Sequence, residues 1–422
     1  MPSITYPTEL GLMTRTPYPS SIKARLVGAR PRVLAALMRW FRDLDLAEEA
    51  FQEACLRALK HWPEKGPPRD AAAWLIMVGR NAALDQMRKA RRLRQLPSDD
   101  TAFDRATESD LAERLDAADY RDDILRLLFV CCHPELPTTR QIALALRIVS
   151  GLPVARIAAA FLVSEAAMEQ RITRAKARIA QADIPFETPG PAERAERIKA
   201  VAAMIYLIFN EGYTDAHPSS ERASLCDEAI RLARLVLQML PAEPELMGLL
   251  ALMLLQHSRQ RARFDEGAVI LLEDQDRTCW DRRMIGEACA LLGKAMPHHR
   301  PGPYQIQAAI AKLHACARCP EDTDWAGIER LYHALETLAP SPVVTLNRAV
   351  AILKLHGPRA ALEIVEPLAV ALDGYFYFHG LQGTLLWELG RVAEARGAFG
   401  RAITLANTAA EAAHIRRQLD QL

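Results

Sequence analysis

Aromatic residues are scarce in this sequence, 6% of 422, and no run of β-branched residues alternates with polar ones, so a β-sandwich or barrel has little from which to build strands. Net charge is almost absent. Lys and Arg number 53 against 52 Asp and Glu, a formal +1, which excludes coating of nucleic acid by bulk charge and leaves only a local basic patch. The eight cysteines (Cys55, Cys131, Cys132, Cys226, Cys279, Cys289, Cys316 and Cys319) are scattered, unlike the dense framework of a small secreted disulfide domain. The longest apolar run, residues 246–255, falls short of the ~18 residues that span a bilayer. The opening MPSITYPTELGLMTRTPYPS lacks a basic stretch followed by an apolar one, so no signal peptide is expected. No H-x-E…P-C-x-x-C, Walker, G-x-S-x-G or G-x-G-x-x-G pattern occurs, so neither catalytic residues nor a cofactor are expected. What remains is an ordinary globular composition, 50% hydrophobic and 25% charged, with material for two to four domains. The expectation is a cytoplasmic, multidomain, all-α protein with no membrane partner.

Helix formers (Ala, Leu, Arg, Glu) are abundant, and charge is distributed in blocks. Residues 1–97 hold 17 Lys/Arg and 9 Asp/Glu, residues 98–123 ten acids and three arginines, and residues 136–183 seven bases and three acids. A basic–acidic–basic alternation points to two nucleic-acid-facing modules joined by a solvated acidic tether, or more plainly to a charged surface helix after a basic helix end. Pro185, Pro189, Gly190 and Pro191 mark a further boundary. Five segments follow: a leader (1–22), a first module (23–97), an acidic linker (98–122), a second module (123–183) and a helical extension (184–422).

In the first module, Asp45 and Glu48 have capping-box spacing and open a helix, LAEEAFQEACLRALKHW, closed by Pro63. Its acids Glu48, Glu49 and Glu53, with Gln52, are placed outward. Asp70 then caps AAAWLIMVGRNAALDQMRKARRLR. At 100° per residue, Ile76, Gly79, Ala83, Met87 and Ala90 form one stripe, expected to be buried. The opposite stripe is Trp74, Val78, Asn81, Asp85, Arg88 and Arg92, with Lys89, Arg91 and Arg94 beside it. An aromatic among amide and guanidinium groups suits single-stranded DNA, offering a stacking surface, edge contacts and phosphate neutralisation. The alternative for Trp74 is packing on the preceding helix, and for the cations, a favourable charge at a helix C-terminus.

The second module, GLPVARIAAAFLVSEAAMEQRITRAKARI, reads as helix–turn–helix, with Ile157, Ala158 and Phe161 in the first helix and its exit, Val163 in the turn and Ser164 capping the second helix. Met168, Ile172, Ala175 and Ile179 form its inner stripe. Glu169, Gln170, Thr173 and Arg174 lie outward, flanked by Arg171, Lys176 and Arg178. Gln and Arg suit bidentate base-edge contacts, and the flanking cations suit phosphates. Two packed helices with a solvated face are the plainer reading.

The order of these modules resembles the extracytoplasmic-function (ECF) sigma factors of bacterial RNA polymerase. The segment LAEEAFQEACLRALKHW is similar to their polymerase-binding region, AAAWLIMVGRNAALDQMRKARR to their −10 reader, and VARIAAAFLVSEAAMEQRITRAKARI to their −35 reader. The strings VCCHPELP, LIFNEGYTDAH, LLEDQDRTCWDRRMI, RPGPYQIQAAIAKLHA, DTDWAGIERLYHAL and APSPVVTLNRAVAI resemble the subgroup with a long tetratricopeptide-like extension. The resemblance implies sigma region 2 (23–97) and region 4 (123–183) folds, with core RNA polymerase and promoter DNA as partners, duplex at −35 and melted at −10. Glu48, Glu49, Gln52 and Glu53 would meet polymerase. Lys65, Arg69, Trp74, Asn81, Asp85, Arg88, Lys89, Arg91 and Arg92 would meet the −10 strand. Ser164, Glu169, Gln170, Arg171, Thr173, Arg174, Lys176 and Arg178 would meet the −35 duplex. Many ECF factors carry Lys where Glu169 stands, so their −35 sequence preference does not transfer.

Within the extension, Gly383, Ala395, Phe399 and Ala402 follow Ala349, Ala361, Val365 and Leu368 by 34 residues, and a further step back reaches Ala315, Gly327, Leu331 and Ala334. That is the tetratricopeptide period, stacked helix pairs around a concave surface. Asn210, Glu211, Tyr213, Asp274, Asp276, Arg277 and Trp280 are candidates to line it for a peptide or effector; the alternative is that such polar strings cap helices and pair across repeats. His314, Cys316 and Cys319 approach zinc-ligand spacing, although cysteines on one helix face are more often packed, and no metal is expected. A polymerase-independent helix–turn–helix regulator with an effector-binding repeat domain is the rival to the sigma reading.

Overall fold

The computed structural model describes residues 20–93, 117–161, 163–182, 191–213, 223–265, 268–406 and 409–422. These residues form eighteen α-helices and, as their one β element, an antiparallel pair of two-residue strands, β1 (Phe264–Asp265) and β2 (Ala268–Val269). The all-α expectation holds apart from that short pair. The chain divides into two compact units. One draws on Met1–Glu135, Leu144–Leu152 and Ile172–Thr188, the other on Leu136–Ala143, Pro153–Arg171 and Pro189–Leu422, so the segment 123–183 contributes to both.

The first unit is built on α1 (Ser20–Phe41), α2 (Leu44–Lys65), α3 (Ala71–Leu93) and α4 (Ala117–Cys131). Helix α1 touches the other three, and its consecutive Val33, Leu34, Ala35, Ala36, Leu37 and Met38 are all buried, as an apolar helix packed on several sides requires. It ends at Arg42, whose φ of +52° places it in the left-handed region and lets its N–H reach the Met38 carbonyl. Helices α2 and α3 approach closely at Gly79, where a Cβ would stand 2.9 Å from the Ala50 carbonyl oxygen. Only glycine fits there.

Three expectations about these helices are corrected. The cap of α2 is Asp43, whose carboxylate accepts from the N–H groups of Asp45 and Leu46, not Asp45 in a capping box with Glu48. Pro63 does not close α2 but lies in its last turn, and the helix ends at Gly66, whose φ is +75° and whose N–H reaches Trp62. Met87 is not buried with the Ile76, Gly79 and Ala83 stripe but 38% exposed, because α3 has by then run past its partners; the side chain of Ala90 lies outside the described residues.

Helices α5 (Thr138–Ile148), α6 (Val154–Ala160) and α7 (Glu165–Gln181) follow. The second unit continues through α8 (Pro191–Tyr213), α9 (Ala223–Met239), α10 (Pro244–His257), α11 (Arg282–Ala295), α12 (Pro303–Cys316), α13 (Trp325–Leu338), α14 (Pro342–His356), α15 (Pro358–Val365), α16 (Phe376–Glu388), α17 (Val392–Leu405) and α18 (Ala409–Leu419). Helix α10 carries the longest apolar run and is buried nearly all round, in contact with α9, α11 and α12, so that run is a core helix. Among the described residues no helix is long and apolar enough to cross a membrane.

The 34-residue spacing is real in the backbone: α14 and α16 begin at Pro342 and Phe376, α15 and α17 at Pro358 and Val392. Ala349, Ala361, Val365, Gly383, Ala395, Phe399 and Ala402 are all buried. At Gly383 a Cβ would lie 2.6 Å from the Phe399 ring, so the α16–α17 pair can close only over glycine. The earlier copy is looser: Ala315 and Gly327 are buried, but Leu331 is half-buried and Ala334 exposed.

Candidate nucleic-acid interface

Along α2, Glu49 and Gln52 are exposed and Glu53 half-buried, in a stripe that ends in Leu56, an aliphatic residue 55% exposed. Leu56 follows Gln52 and Glu53 by about one helical turn, so the three share a face. Glu48 departs from the outward placement expected of it. It is 5% exposed, and three cations converge on its carboxylate: Arg30 Nη2 at 2.8 Å and Arg147 Nε at 3.3 Å on Oε1, and Lys176 Nζ at 2.7 Å on Oε2. Lys176 also reaches Asp45 Oδ1 at 2.7 Å. Arg30 lies 5.1 Å over the Phe51 ring and donates to the carbonyls of Ile148 and Arg147, both at 3.0 Å.

A carboxylate is buried at this cost only when charge and hydrogen bonds compensate it. The electrostatics follow that logic. Burial draws the Arg30 pKa down and Glu48 works against it. At Lys176, burial also acts against the ammonium, but the hydrogen bonds and charges of Asp45 and Glu48 outweigh it and hold the pKa above the usual lysine value. Lys176, expected on phosphates, is therefore engaged within the chain.

On α3, Asp70 caps as expected, accepting from the N–H groups of Ala72 and Ala73 at 3.0 Å, and it is bound by Arg32. Trp74 is half-buried. Its ring meets the buried Trp62 edge-on at 5.4 Å, so it packs on the preceding helix, the alternative expected for it, while part of its surface stays exposed. Lys65, Arg69, Asn81, Asp85 and Arg88 are exposed, the last two 3.8 Å apart. The side chains of Lys89, Arg91 and Arg92, and all of Arg94, lie outside the described residues. Sequence patterning missed the Arg80 guanidinium lying 4.9 Å over the partly exposed Trp40 ring, a pairing between α1 and α3 that no spacing rule announces.

The helix–turn–helix forms as read. The Val163 N–H bonds the Ala158 carbonyl in the turn, and Ser164 Oγ accepts from Ala167 N at 3.2 Å, capping α7. Met168, Ile172, Ala175 and Ile179 are all buried, while Glu169, Gln170, Thr173 and Arg174 are exposed and Arg171 is half-buried. Arg178 is exposed and paired with Glu135 at 2.9 Å. The outer face thus presents an acid, an amide, a hydroxyl and a guanidinium over two turns, a donor and acceptor array of the kind that reads base edges.

In the extension, two of the candidate surface residues are buried. Arg277 donates to the carbonyls of His314 and Ala317 at 2.9 and 2.8 Å, and its guanidinium lies 4.9 Å from the ring of Trp280, which is 2% exposed. They seat the loop before α11 on the end of α12 instead of facing a ligand. Asp276 caps a short 3-10 turn and Asp281 caps α11. Tyr213 is held by Arg259 at its hydroxyl and by Arg263, 3.7 Å over its ring. Asn210 hydrogen-bonds Tyr206, Glu211 is half-buried and Asp274 exposed. His314 meets the Trp325 ring edge-on at 5.3 Å; burial, then Arg259 and Arg277, take its pKa down to about 4. Among the described residues no three His, Cys, Asp or Glu side chains are grouped to hold a metal.

Three family models match the chain: Sigma-70 region 2 over residues 26–93, Sigma-70, region 4 over residues 126–179, and a family of unknown function, DUF6596, over residues 197–296. An uncharacterized protein of Rhizobium meliloti (strain 1021) is 67% identical over 404 residues, 95% of this chain and 96% of its own length.

Proposed function

For a chain that belongs to the ECF-like sigma factors with a C-terminal extension, we propose that it binds core RNA polymerase, directs it to promoters through −35 and −10 elements, and starts transcription there. The Glu49, Gln52, Glu53 and Leu56 stripe of α2 meets the polymerase clamp. An acidic face with an apolar spot suits a basic partner helix, and the contact weakens as salt rises. Lys65, Arg69, Trp74, Asn81 and Arg88 take the unpaired −10 strand, where a stacked base contributes about 1–3 kcal/mol against an unstacking cost of a few. The chain makes and breaks no bonds itself. The extension, a tetratricopeptide-like array, acts as an attached regulator or stabiliser of the holoenzyme.

The observation that carries this reading is the outer face of α7, where Gln170, Thr173 and Arg174 stand exposed behind the Ser164 cap in the segment matched by region 4. Lys176, Asp45 and Glu48 are engaged with one another, so in the free chain a cation of the −35 reader and the acids of the polymerase-facing helix neutralise each other.

Arg174→Ala tests the reading. It weakens binding of a −35 duplex by about 1–3 kcal/mol if the guanidinium contacts a base edge, and it leaves affinity for core polymerase unchanged. Equal loss of both in binding titrations contradicts the assignment.

A further inference from the structure

Two thiols of the extension stand within reach of each other. Cys289 lies on α11 and Cys316 ends α12, with their Sγ atoms 3.8 Å apart. Access to them differs. Cys316 is exposed and lines an open cavity of about 400 Å³ with Lys312, Leu313, Ala317, Arg318, Asp322 and Asp324, whereas Cys289 is half-buried and outside that lining. Other thiols of this unit have other partners: Cys226 donates to the Phe209 carbonyl and Cys279 to Asp276. A disulfide needs the sulfurs at about 2.05 Å, so forming one here requires rotation about the two side-chain torsions to supply the remaining approach.

We propose that Cys316 and Cys289 form a peroxide-oxidised pair, in which Cys316 meets hydrogen peroxide at the cavity and Cys289 resolves the product into a disulfide. The Cys316 thiolate attacks one peroxide oxygen. The O–O bond breaks, the departing hydroxide takes up the thiol proton as water, and the sulfur, oxidised by two electrons, becomes a sulfenic acid. The Cys289 sulfur then attacks the sulfenic sulfur. The S–S bond forms, the S–O bond breaks, and the hydroxyl leaves with the Cys289 proton as a second water. Two thiols and one peroxide give one disulfide and two waters. Burial and the neighbouring Cys316 push the Cys289 thiol up, with Lys312 acting against them, which suits a thiol that keeps its proton until the sulfenic acid is beside it. The bond ties α11, inside the segment matched by the family of unknown function, to the last residue of α12 outside it.

The test is made on the full chain, treated with hydrogen peroxide, blocked with N-ethylmaleimide and weighed intact. The expected product is about 2 Da lighter before alkylation, two hydrogens having been removed, with two fewer alkylated thiols and a Cys289–Cys316 cross-link in the peptide map. In Cys289→Ser, dimedone traps a sulfenic acid on Cys316; in Cys316→Ser, no cross-link to Cys289 forms. A chain that keeps both thiols alkylatable at peroxide levels that oxidise glutathione overturns the proposal. So does a cross-link that joins Cys289 or Cys316 to another cysteine. Because the wild-type peptide map decides between these outcomes, a variant that fails to fold does not leave the question open.

Discussion

Replacing Glu48 by glutamine removes the negative charge on which Arg30, Arg147 and Lys176 converge while keeping the shape of the side chain. Removing one partner of a buried ion pair typically costs about 3–5 kcal/mol, because the remaining charge is left without compensation. Two features put this site at the lower end. Glutamine retains an acceptor oxygen, and Arg30 keeps its bonds to the Ile148 and Arg147 carbonyls. The expected loss is about 3 kcal/mol. Lys176→Met keeps the aliphatic stem and removes two charge-assisted hydrogen bonds, one to an exposed Asp45 that is worth little, for an expected loss of about 1–2 kcal/mol. Because the two residues share one contact, their effects do not add, and the coupling is about 1 kcal/mol. Urea unfolding of the full chain, followed by tryptophan fluorescence, to which Trp40, Trp62 and Trp74 of the same unit contribute three of the six indoles, measures all three variants. A Glu48→Gln loss below about 1 kcal/mol, or a double variant additive within about 0.5 kcal/mol, refutes the convergence of these charges on Glu48.

Asp43→Ala removes the cap of α2 and lowers stability by about 1 kcal/mol, more than Asp45→Ala does, which thermal unfolding of the pair distinguishes. Gly383→Ala sets a methyl against the buried Phe399 ring and destabilises by about 1–3 kcal/mol, whereas Gly286→Ala on α11, with nothing near its added Cβ, raises the melting temperature through helix propensity. His314 has its folded pKa lowered to about 4, so the unfolded chain binds the extra proton as pH falls. Its contribution is fully present above the unfolded value of about 6.5 and is lost progressively as pH falls towards 4, by up to about 3 kcal/mol. His314→Phe flattens that part of the stability–pH curve, and an unchanged curve counts against a buried neutral imidazole.

The features legible in the sequence were those set by local periodicity and local caps. The buried stripe Met168, Ile172, Ala175 and Ile179, the Ser164 and Asp70 caps and the 34-residue spacing of α14–α17 all depend on residues within a turn or two of one another, or on a simple repeat. Glu48 and Lys176 were misplaced for the opposite reason. A helical wheel turns a charged residue outward, and the partners that allow it inward lie 18 and 128 residues away. Arg277 and Trp280 show the same effect, since the carbonyls that satisfy Arg277 are 37 and 40 residues further on. The capping residue of α2 was missed by two positions because Asp43 and Asp45 are chemically alike, and only the turn at Arg42 selects between them. The Trp74 packing was not decided by patterning because its partner Trp62 lies in the last turns of the preceding helix, where the pattern shows the aromatic but not the angle of approach.

These corrections bear on mechanism. With Glu48 inside the fold, the exposed and half-buried residues that α2 offers for the proposed polymerase contact are Glu49, Gln52, Glu53 and Leu56. With Lys176 held by two carboxylates, the exposed cations of α7 are Arg174 and Arg178, the latter paired with Glu135, and on the proposed reading each phosphate contact added on binding steepens the log–log salt dependence by about −0.9.

The most direct test of the account is transcription by purified core RNA polymerase supplied with the full chain, on a promoter selected from a genomic library by that holoenzyme. The account predicts initiation at a defined start site that depends on the chain, is lost with Arg174→Ala on duplex template, and is partly restored when the −10 segment is pre-melted and the polymerase concentration raised. Binding of the chain to the same duplex without polymerase, with no initiation from any template, would contradict it and favour a polymerase-independent regulator.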